Sequence, residues 1–407
     1  MPRPVDSILT YNAGRDPERL AMKYRHMRSS AFVFLRATCH LFPAQLPQRH
    51  ALPASPAVWS CGDLHLENFG SYKGDNRLPY FDVNDFDEGA LIPAAWDLLR
   101  LLTSVRLACQ PLDFDAARVR ALLDALLAAY FGALRGGSAR WIERETAEGP
   151  VRELFDTVRG RERADFLDSR TSRRGRHRRL KLDGSKALPA DEAEHRRVGA
   201  LLRRFAATSG RPDFFEVLDV ARRIAGNGSL GVRRWVVLVQ GKGAPDGHYL
   251  LDLKEALPSA LTPALRLKQP PWADEAERVV ALAQRCQAVP PAFLHAVRMG
   301  GRSYVLRDLQ PSADRVAFGD AKQPPERLLS LMASVGRCTA WAHLRASGRQ
   351  RSAIADEFIA WGADADAPRR LRRASRECMQ TVRDDWKAYC SAYDDGVFAL
   401  DATVSAR

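Results

Sequence analysis

The chain has 407 residues, 46% of them hydrophobic and 27% charged, a globular texture that excludes a mostly disordered, collagen-like or coiled-coil chain. At about 150 residues per domain, that length allows two or three domains or one large two-lobed unit. The net charge of +13 favours anionic partners such as nucleic acid, a membrane surface or phosphate-bearing molecules, without choosing among them.

The opening MPRPVDSILTYN has no apolar run behind its positive charge and does not read as a secretory signal. From Pro17 to about Phe42 the pattern is helical, with Leu20, Met27, Ala31 and Phe34 among arginines. A linker follows with Pro43, Pro47, Pro53 and Pro56. Val58–Trp59 and Tyr80–Val83 read as short strands flanking a loop, and residues 97–108 and 116–134 as helices. The apolar run from Ala121 to Leu134 is broken by Asp124 and falls short of the roughly 20 residues a bilayer needs, so no membrane span is expected. Residues 140–212 are polar and Arg-rich. Between Arg159 and Lys181 ten Lys/Arg stand against three Asp/Glu, so over half of the net charge sits in that one segment. A solvated face explains such a run as well as a binding surface does.

From Phe214 to Leu253 the texture turns to β: FFEVLDVARRI, a glycine cluster, WVVLVQG, a turn, then HYLLDLK. A helix is predicted over 274–287, two strands at FLHAV and SYVLRDL, and helices over 325–347 and 368–389. The fold class is therefore α+β, a small antiparallel β-rich lobe carried on a larger α-rich lobe. Seven widely spaced cysteines with no C-x-x-C form no disulfide or zinc framework and suit a reducing, cytoplasmic setting.

Two stretches carry chemistry. In the first, Cys61-Gly62-Asp63-Leu64-His65-Leu66-Glu67-Asn68 precedes Phe81-Asp82-Val83-Asn84-Asp85-Phe86-Asp87-Glu88. A carboxylate and an amide five residues apart on a loop can face one another, the first taking a proton and the second ligating a hard cation. A further carboxylate after the next strand completes a site of the kind Mg²⁺ takes, with phosphate oxygens as its other ligands. Asp63 is the candidate base and Asn68 and Asp85 the candidate metal ligands, with Asp87 as runner-up to Asp85. His65 reads as loop packing, Asp82 as a turn acceptor and Glu67 as solvent-facing.

In the second, Gly226-Asn227-Gly228-Ser229-Leu230-Gly231 lies between two strands, where backbone N–H groups can approach phosphate oxygens. A dinucleotide fingerprint would need a helix after it, and VRRWVVLV is β instead. The next strand ends at Lys254, which can meet the α/β-phosphates. In kinases that lysine is held by a glutamate on the following helix, which points to Glu277 and then Glu275. Gln310-Pro311 stand where a hinge would follow. Arg25, Arg28 and Arg36 could grip an anion, but solvated surface arginines are the simpler reading.

The first stretch resembles the catalytic and metal loops of aminoglycoside- and choline-kinase-like phosphotransferases. By that resemblance Asp63 corresponds to the catalytic aspartate, Asn68 to the metal-ligating asparagine, and Asp97 of Trp96-Asp97-Leu98 to an aspartate that braces the catalytic loop, while Cys61 stands where histidine is usual. The order is inverted, however: Asp63 precedes Lys254 by 191 residues. The helix LLSLMASVGRCTAWAHLRAS resembles the one that directly precedes the catalytic loop in those proteins, so the resemblance implies a circular permutation.

The set C-G-D-x-H-x-x-N-F-G, F-D-x-N-D-F-D-E, W-D-L-x-R-L, D-V-A-R-R-I-A-G-N-G-S-L-G and L-K-E-A-x-x-S is similar to the bacterial domain-of-unknown-function 2252 family of the protein-kinase-like superfamily, from Arg15 to about Tyr389. The expected parts are a catalytic and metal-loop region (1–140), a basic insertion (141–213), a nucleotide-binding β lobe (214–312) and a helical remainder (313–407). The expected activity is an ATP- and Mg²⁺-dependent phosphotransferase acting on an unidentified hydroxyl- or amine-bearing acceptor. Its alternatives are adenylyl transfer from the same site, a non-catalytic nucleotide-binding regulator, and nucleic-acid binding through 159–181. That last segment holds only Phe166 for base stacking and no reader motif.

Overall fold

Proline and short polar side chains start the N-terminal helices. In this computed structural model, which describes residues 3–311, 314–316, 318 and 323–399, α1 (Pro4–Asn12) and α2 (Pro17–Ser29) both begin on proline, whose fixed φ suits a first turn. Asp16 caps α2 through the Arg19 N–H, and Ser30 caps α3 (Ala31–Ala37) through that of Val33. Two antiparallel ribbons follow, β1 (Ala57–Ser60) with β4 (Ala90–Pro93) and, between them in sequence, β2 (Phe69–Lys73) with β3 (Pro79–Val83).

Helices α4 (Ala94–Cys109), α5 (Ala116–Arg135) and α6 (Gly149–Gly160) lead to α7 (Arg163–Arg170), the hairpin β5 (Thr171–Arg174) and β6 (His177–Leu180), then β7 (Ala187–Pro189) and α8 (Glu192–Thr208). Next come β8 (Val217–Arg223), β9 (Arg234–Val239), β10 (Tyr249–Glu255), α9 (Glu275–Cys286), β11 (His295–Met299) and β12 (Arg302–Asp308). Helices α10 (Pro325–Ala346), α11 (Ala355–Gly362) and α12 (Ala367–Asp394) close the described chain. Of the described residues half are helical and 16% lie in strands, the α+β class expected.

The main sheet is six-stranded and antiparallel, in the order β11-β12-β10-β9-β8-β7. Side chains alternate across it. Trp235, Val237, Val239, Leu251, Leu253 and Leu306 point to one face, where α8 covers them with Val198, Leu201, Leu202 and Ala206. By register the other face carries Ala221, Arg223, Arg234, Val236, Leu238, Leu250, Asp252, Lys254 and Arg307. Its apolar end packs against Leu167 of α7, Leu180 of β6 and Leu309. Its polar end, with Lys254, opens into a cleft.

The sequence reading started this lobe at 214. The structure draws 187–208 into it, because β7 pairs with β8 and α8 lies over the sheet. The apolar residues of α8 recur at helical spacing inside an Arg-rich stretch, so composition hid the periodicity.

The larger core gathers α4, α5, α10 and α12 around residues such as Leu101, Leu126, Met332, Val335 and Cys378. Gly336 permits the tight crossing of α10 on α5, since a Cβ there would stand 2.2 Å from the Leu126 carbonyl oxygen. All seven cysteines are free thiols. Among the described residues no helix is long and apolar enough to cross a membrane.

Candidate active site

Strand β1 delivers the first loop. Gly62 adopts φ 77°, and a Cβ on it would meet the Glu88 carbonyl oxygen at 2.0 Å, so only glycine turns the chain here. The Ser60 hydroxyl accepts from the Gly62 N–H at 2.9 Å and donates to Asp97 in the first turn of α4. His343 of α10 reaches the same carboxylate at 3.1 Å, and its other ring nitrogen meets the Tyr130 hydroxyl at 2.8 Å. Asp97 therefore braces the loop.

Beyond that turn, the Asp63 carboxylate accepts from Arg100 of α4 at 2.5 Å, and Arg100 also donates to the Leu35 carbonyl at 2.8 Å. Arg100 is fully buried, while the Asp63 side chain keeps 18% of its surface toward the cleft. Burial is the largest influence on this carboxyl. Together with Glu88 and Asp85 it raises the group to about 7, against the pull of Arg100.

Asn68 donates from its amide nitrogen to the Asp63 carbonyl at 2.6 Å, which turns Oδ1 away from the loop. Its own carbonyl accepts from the Asn84 N–H at 2.8 Å, one step beyond the Phe69–Val83 pair of β2 and β3. That extra rung ties the stretch carrying Asp85 to the loop of Asn68, and both residues line the same cleft. Burial opposes ionisation of Asp85, but the cations of Lys254, Arg307, Arg315 and Arg234 outweigh it and hold the carboxyl below its ordinary value. An amide and a carboxylate lining one cleft are of the oxygen type Mg²⁺ takes, though among the described residues no group of three or more His, Cys, Asp or Glu is placed to hold a metal ion by itself.

The glycine turn is gripped from below. The Gly228 carbonyl accepts from Arg15 at 2.8 Å and from the buried Lys23 ammonium at 3.0 Å, and the Gly231 carbonyl from the Asp16 N–H at 2.9 Å. Gly226 and Gly231 have φ of 73° and 86°. Lys254 is buried, which lowers its amine to about 8, with Asp85 working the other way.

One cleft is lined by Asp63, Asn68, Asp85, Gly226–Ser229 and Lys254, so the two stretches far apart in sequence meet; Gly231 anchors the turn from outside the lining. The cleft as it stands holds about 70 Å³, space for roughly five waters.

The predicted Lys254–Glu277 pair is absent. Lys254 pairs with Asp87, and Glu277 is exposed at the start of α9, accepting from the Ala273 N–H at 2.6 Å. The physical reason is local. Asp274 caps Glu277's own N–H, so Glu277 serves the helix end. Arg278, the next residue, turns inward and donates to the carbonyls of Gly89, Asp87 and Leu257, fixing the loop that carries Asp85 and Asp87.

Of the three arginines, Arg36 lines the cleft and pairs with Glu67 at 2.8 Å, so Glu67 is not merely solvent-facing. Arg25 and Arg28 are exposed, and Arg28 pairs with Asp394. Asp82 is a buried acceptor for Arg345 at 2.6 Å. Sequence reasoning read Arg100 only as part of W-D-L-x-R-L, without a role, and missed Arg278 and the Arg15–Lys23 grip. Arg100 had a signal, since it follows Asp97 by three residues on one face of an otherwise apolar helix.

A family model described as "Uncharacterized protein conserved in bacteria (DUF2252)" matches residues 15–392. The chain belongs to that family. No curated protein and no solved structure matches it.

Proposed function

We propose that the chain is an ATP- and Mg²⁺-dependent phosphotransferase acting on a hydroxyl- or amine-bearing acceptor, built on a circularly permuted protein-kinase-like scaffold. The observation that carries this reading is the meeting of Asp63, Asn68 and Asp85 with Lys254 and the 226–229 turn in one cleft. Permutation is supported by the seam: the Ala353 N–H, in the loop between α10 and α11, donates to the Ala57 carbonyl at 2.9 Å, which holds the chain that follows α10 against the strand that leads to Asp63.

In this mechanism Lys254 leaves Asp87 to hold the phosphates, and the turn's N–H groups face their oxygens. Asn68 and Asp85 would hold Mg²⁺, which neutralises phosphate charge when bound. Asp63, with a carboxyl near 7, is matched to taking the acceptor's proton at neutral pH as the acceptor bonds to the γ-phosphorus and ADP departs. Arg100 keeps that carboxylate aimed.

The test is thermal stabilisation by ATP with and without Mg²⁺, in wild type and Lys254→Ala, followed by label transfer in a bacterial extract. A Mg²⁺-dependent shift lost in the variant, with γ-label moving to an acceptor only when Asp63 is intact, supports the reading. Transfer of α-label instead establishes adenylyl transfer. Absence of any nucleotide-dependent shift refutes both.

A further inference from the structure

The charges that line the cleft are nearly all matched within the chain. Asp63 is held by Arg100 and Asp87 by Lys254. Glu88 accepts from the Tyr11 hydroxyl at 3.1 Å and from the Ala260 N–H at 2.6 Å, and Glu255 accepts from Arg302 at 2.8 Å. Of the cations, Arg15 serves the carbonyls of Gly228 and Leu230, and Arg36 pairs with Glu67 at 2.8 Å. Arg315 is the exception. It lines the cleft, and among the described residues no hydrogen bond or ion pair takes up its guanidinium. Burial disfavours its charge, Asp85 supports it, and Arg36 and Arg234 add to the cost, so the group is held below its ordinary value. Asp85 is also the carboxylate that a cation would claim. Arg315 would then need an anion from outside the chain.

Arg315 is held firmly where it stands. It bridges Gly70 in antiparallel fashion, the Val316 N–H donates to the Phe69 carbonyl at 2.8 Å, and the neighbouring Asp314, 3% exposed, pairs with Arg161. The residue is thus laid against the start of β2, directly after Asn68. Arg36 comes from α3 to the same loop, at Glu67. Within that loop His65 lines the cleft, is 4% exposed, and leaves its Nδ1 without a partner. Burial, then Arg36, Arg100 and Arg315, keep its ring neutral. A buried polar atom with no partner is uncommon in a folded chain and marks a place where a ligand or water completes the bonding. Two arginines and this imidazole therefore gather on the loop that carries Asp63, opposite the lysine and the glycine turn.

We propose that Arg36, Arg315 and His65 form a second anion seat in the cleft, and that the acceptor carries a phosphate or carboxylate beside the hydroxyl or amine that it presents to Asp63. This rests on the phosphotransferase reading above and names the class of its acceptor. The Glu67 carboxylate already shows that Arg36 takes such a group, and its side chain keeps 33% of its surface in solvent, so it can swing outward when a ligand anion arrives. Guanidinium groups suit that exchange, because they meet carboxylate and phosphate oxygens in pairs. A polycationic acceptor would face two arginines with no free carboxylate beside them except the metal-facing Asp85.

The experiment titrates inorganic phosphate, at matched ionic strength, onto the full chain with and without saturating Mg²⁺ and a non-hydrolysable ATP analogue, followed by calorimetry and thermal melts. The analogue fills the γ-phosphate position, so phosphate bound in its presence reports the second seat. Wild type should bind phosphate beside the analogue. Arg36→Gln and Arg315→Gln should each bind it about tenfold more weakly, the size expected for loss of one charge-assisted contact, while the analogue's affinity for Arg36→Gln falls less than threefold. Glu67→Gln should bind phosphate about threefold tighter, a gain that misfolding cannot mimic. Choline chloride at the same concentration should give no shift. Phosphate that the analogue excludes sits in the nucleotide's own site and overturns the second seat. So does an equal fall of phosphate and analogue affinity in both arginine variants, or analogue binding with no phosphate bound beside it. Phosphate binding that needs Arg36 and Arg315 in a chain that binds no nucleotide leaves the seat standing and overturns the nucleotide reading instead.

Discussion

Replacing Asp63 with asparagine should make the folded chain more stable at alkaline pH, and the gain should shrink on acidification. The carboxyl's ordinary value is 3.8 and in the fold it rises to about 7. A raised carboxyl means that the native chain holds a proton the unfolded chain has released between those values. Stability therefore falls as pH climbs from about 4 to about 7 and is level above that. At about 1.4 kcal/mol per pH unit the ceiling is about 4 kcal/mol; the 18% of the side chain that still meets solvent lowers it to about 2–4 kcal/mol. Asparagine copies the neutral form and carries no such slope.

The assay is urea unfolding of wild type and Asp63→Asn at pH 5.5 and pH 8.5. Between those two conditions asparagine should gain on wild type by about 2 kcal/mol, because the part of the slope between 5.5 and 7 is crossed. The proposed phosphotransfer should be lost at both. Two forces compete here: desolvation disfavours the carboxylate and Arg100, at 2.5 Å, favours it. Should the ion pair prevail, wild type would gain on the variant as pH rises, and such a result would refute the argument. Parallel pH curves would refute it too, by showing that Asp63 titrates as it does in the unfolded chain.

Gly62→Ala should cost about 3 kcal/mol or more, since it adds a methyl 2.0 Å from the Glu88 carbonyl at a positive φ, whereas Gly160→Ala, with nothing within 4 Å, should be near neutral; thermal melts of the pair check this. Arg278→Met strands three carbonyls that the guanidinium now serves, so the urea midpoint should fall by an amount equivalent to about 3 kcal/mol, and an unchanged midpoint would show the loop is held otherwise. Lys254 is a buried amine lowered to about 8, so Mg·ATP affinity should decline as pH rises through that value, while Lys254→Met should bind weakly at every pH; calorimetry across pH 6.5–9.5 would expose a flat wild-type profile as a failure.

Much of the site was legible because its parts are local. Asp63 and Asn68 sit on one loop, and the amide–carbonyl contact between them spans five residues. The glycine turn falls between β8 and β9, as the texture on either side of it indicated. Asp97 is likewise readable, since it follows strand β4 in the first turn of an apolar helix. Partnerships across long separations were not legible. Lys254 and Asp87 are 167 residues apart, and nothing in either stretch distinguishes Asp87 from Asp85. Glu277 was readable in hindsight: Asp274-x-x-Glu277 is the spacing of a helix-starting pair, a local demand that outcompetes a remote lysine. In the insertion, hydrophobic periodicity is diluted by arginine, so neither α8 nor the packing of Leu167 and Leu180 stood out from the charge.

That dilution bears on what the basic run is for. A strip of ten cations in 23 residues suggests a surface that seeks an external polyanion. Here several of those cations are spent inside the chain. Arg161 serves Asp314, Arg178 serves Asp168 and Asp246, Lys181 donates to the Asp168 carbonyl, and Arg163 stacks on Tyr249. Buried or half-buried pairs are poorly screened, so they fix the segment's position at physiological ionic strength. Arg178 in particular brings a full charge to a fully covered position, which is costly unless its partners are held rigidly in place. Its carboxylate partners sit on α7 and on the β9–β10 turn, so the cost is met only while hairpin, helix and turn stay together. The same charge that raises the net to +13 thus specifies one seat for the segment, over the apolar end of the sheet and beside the exit of β12.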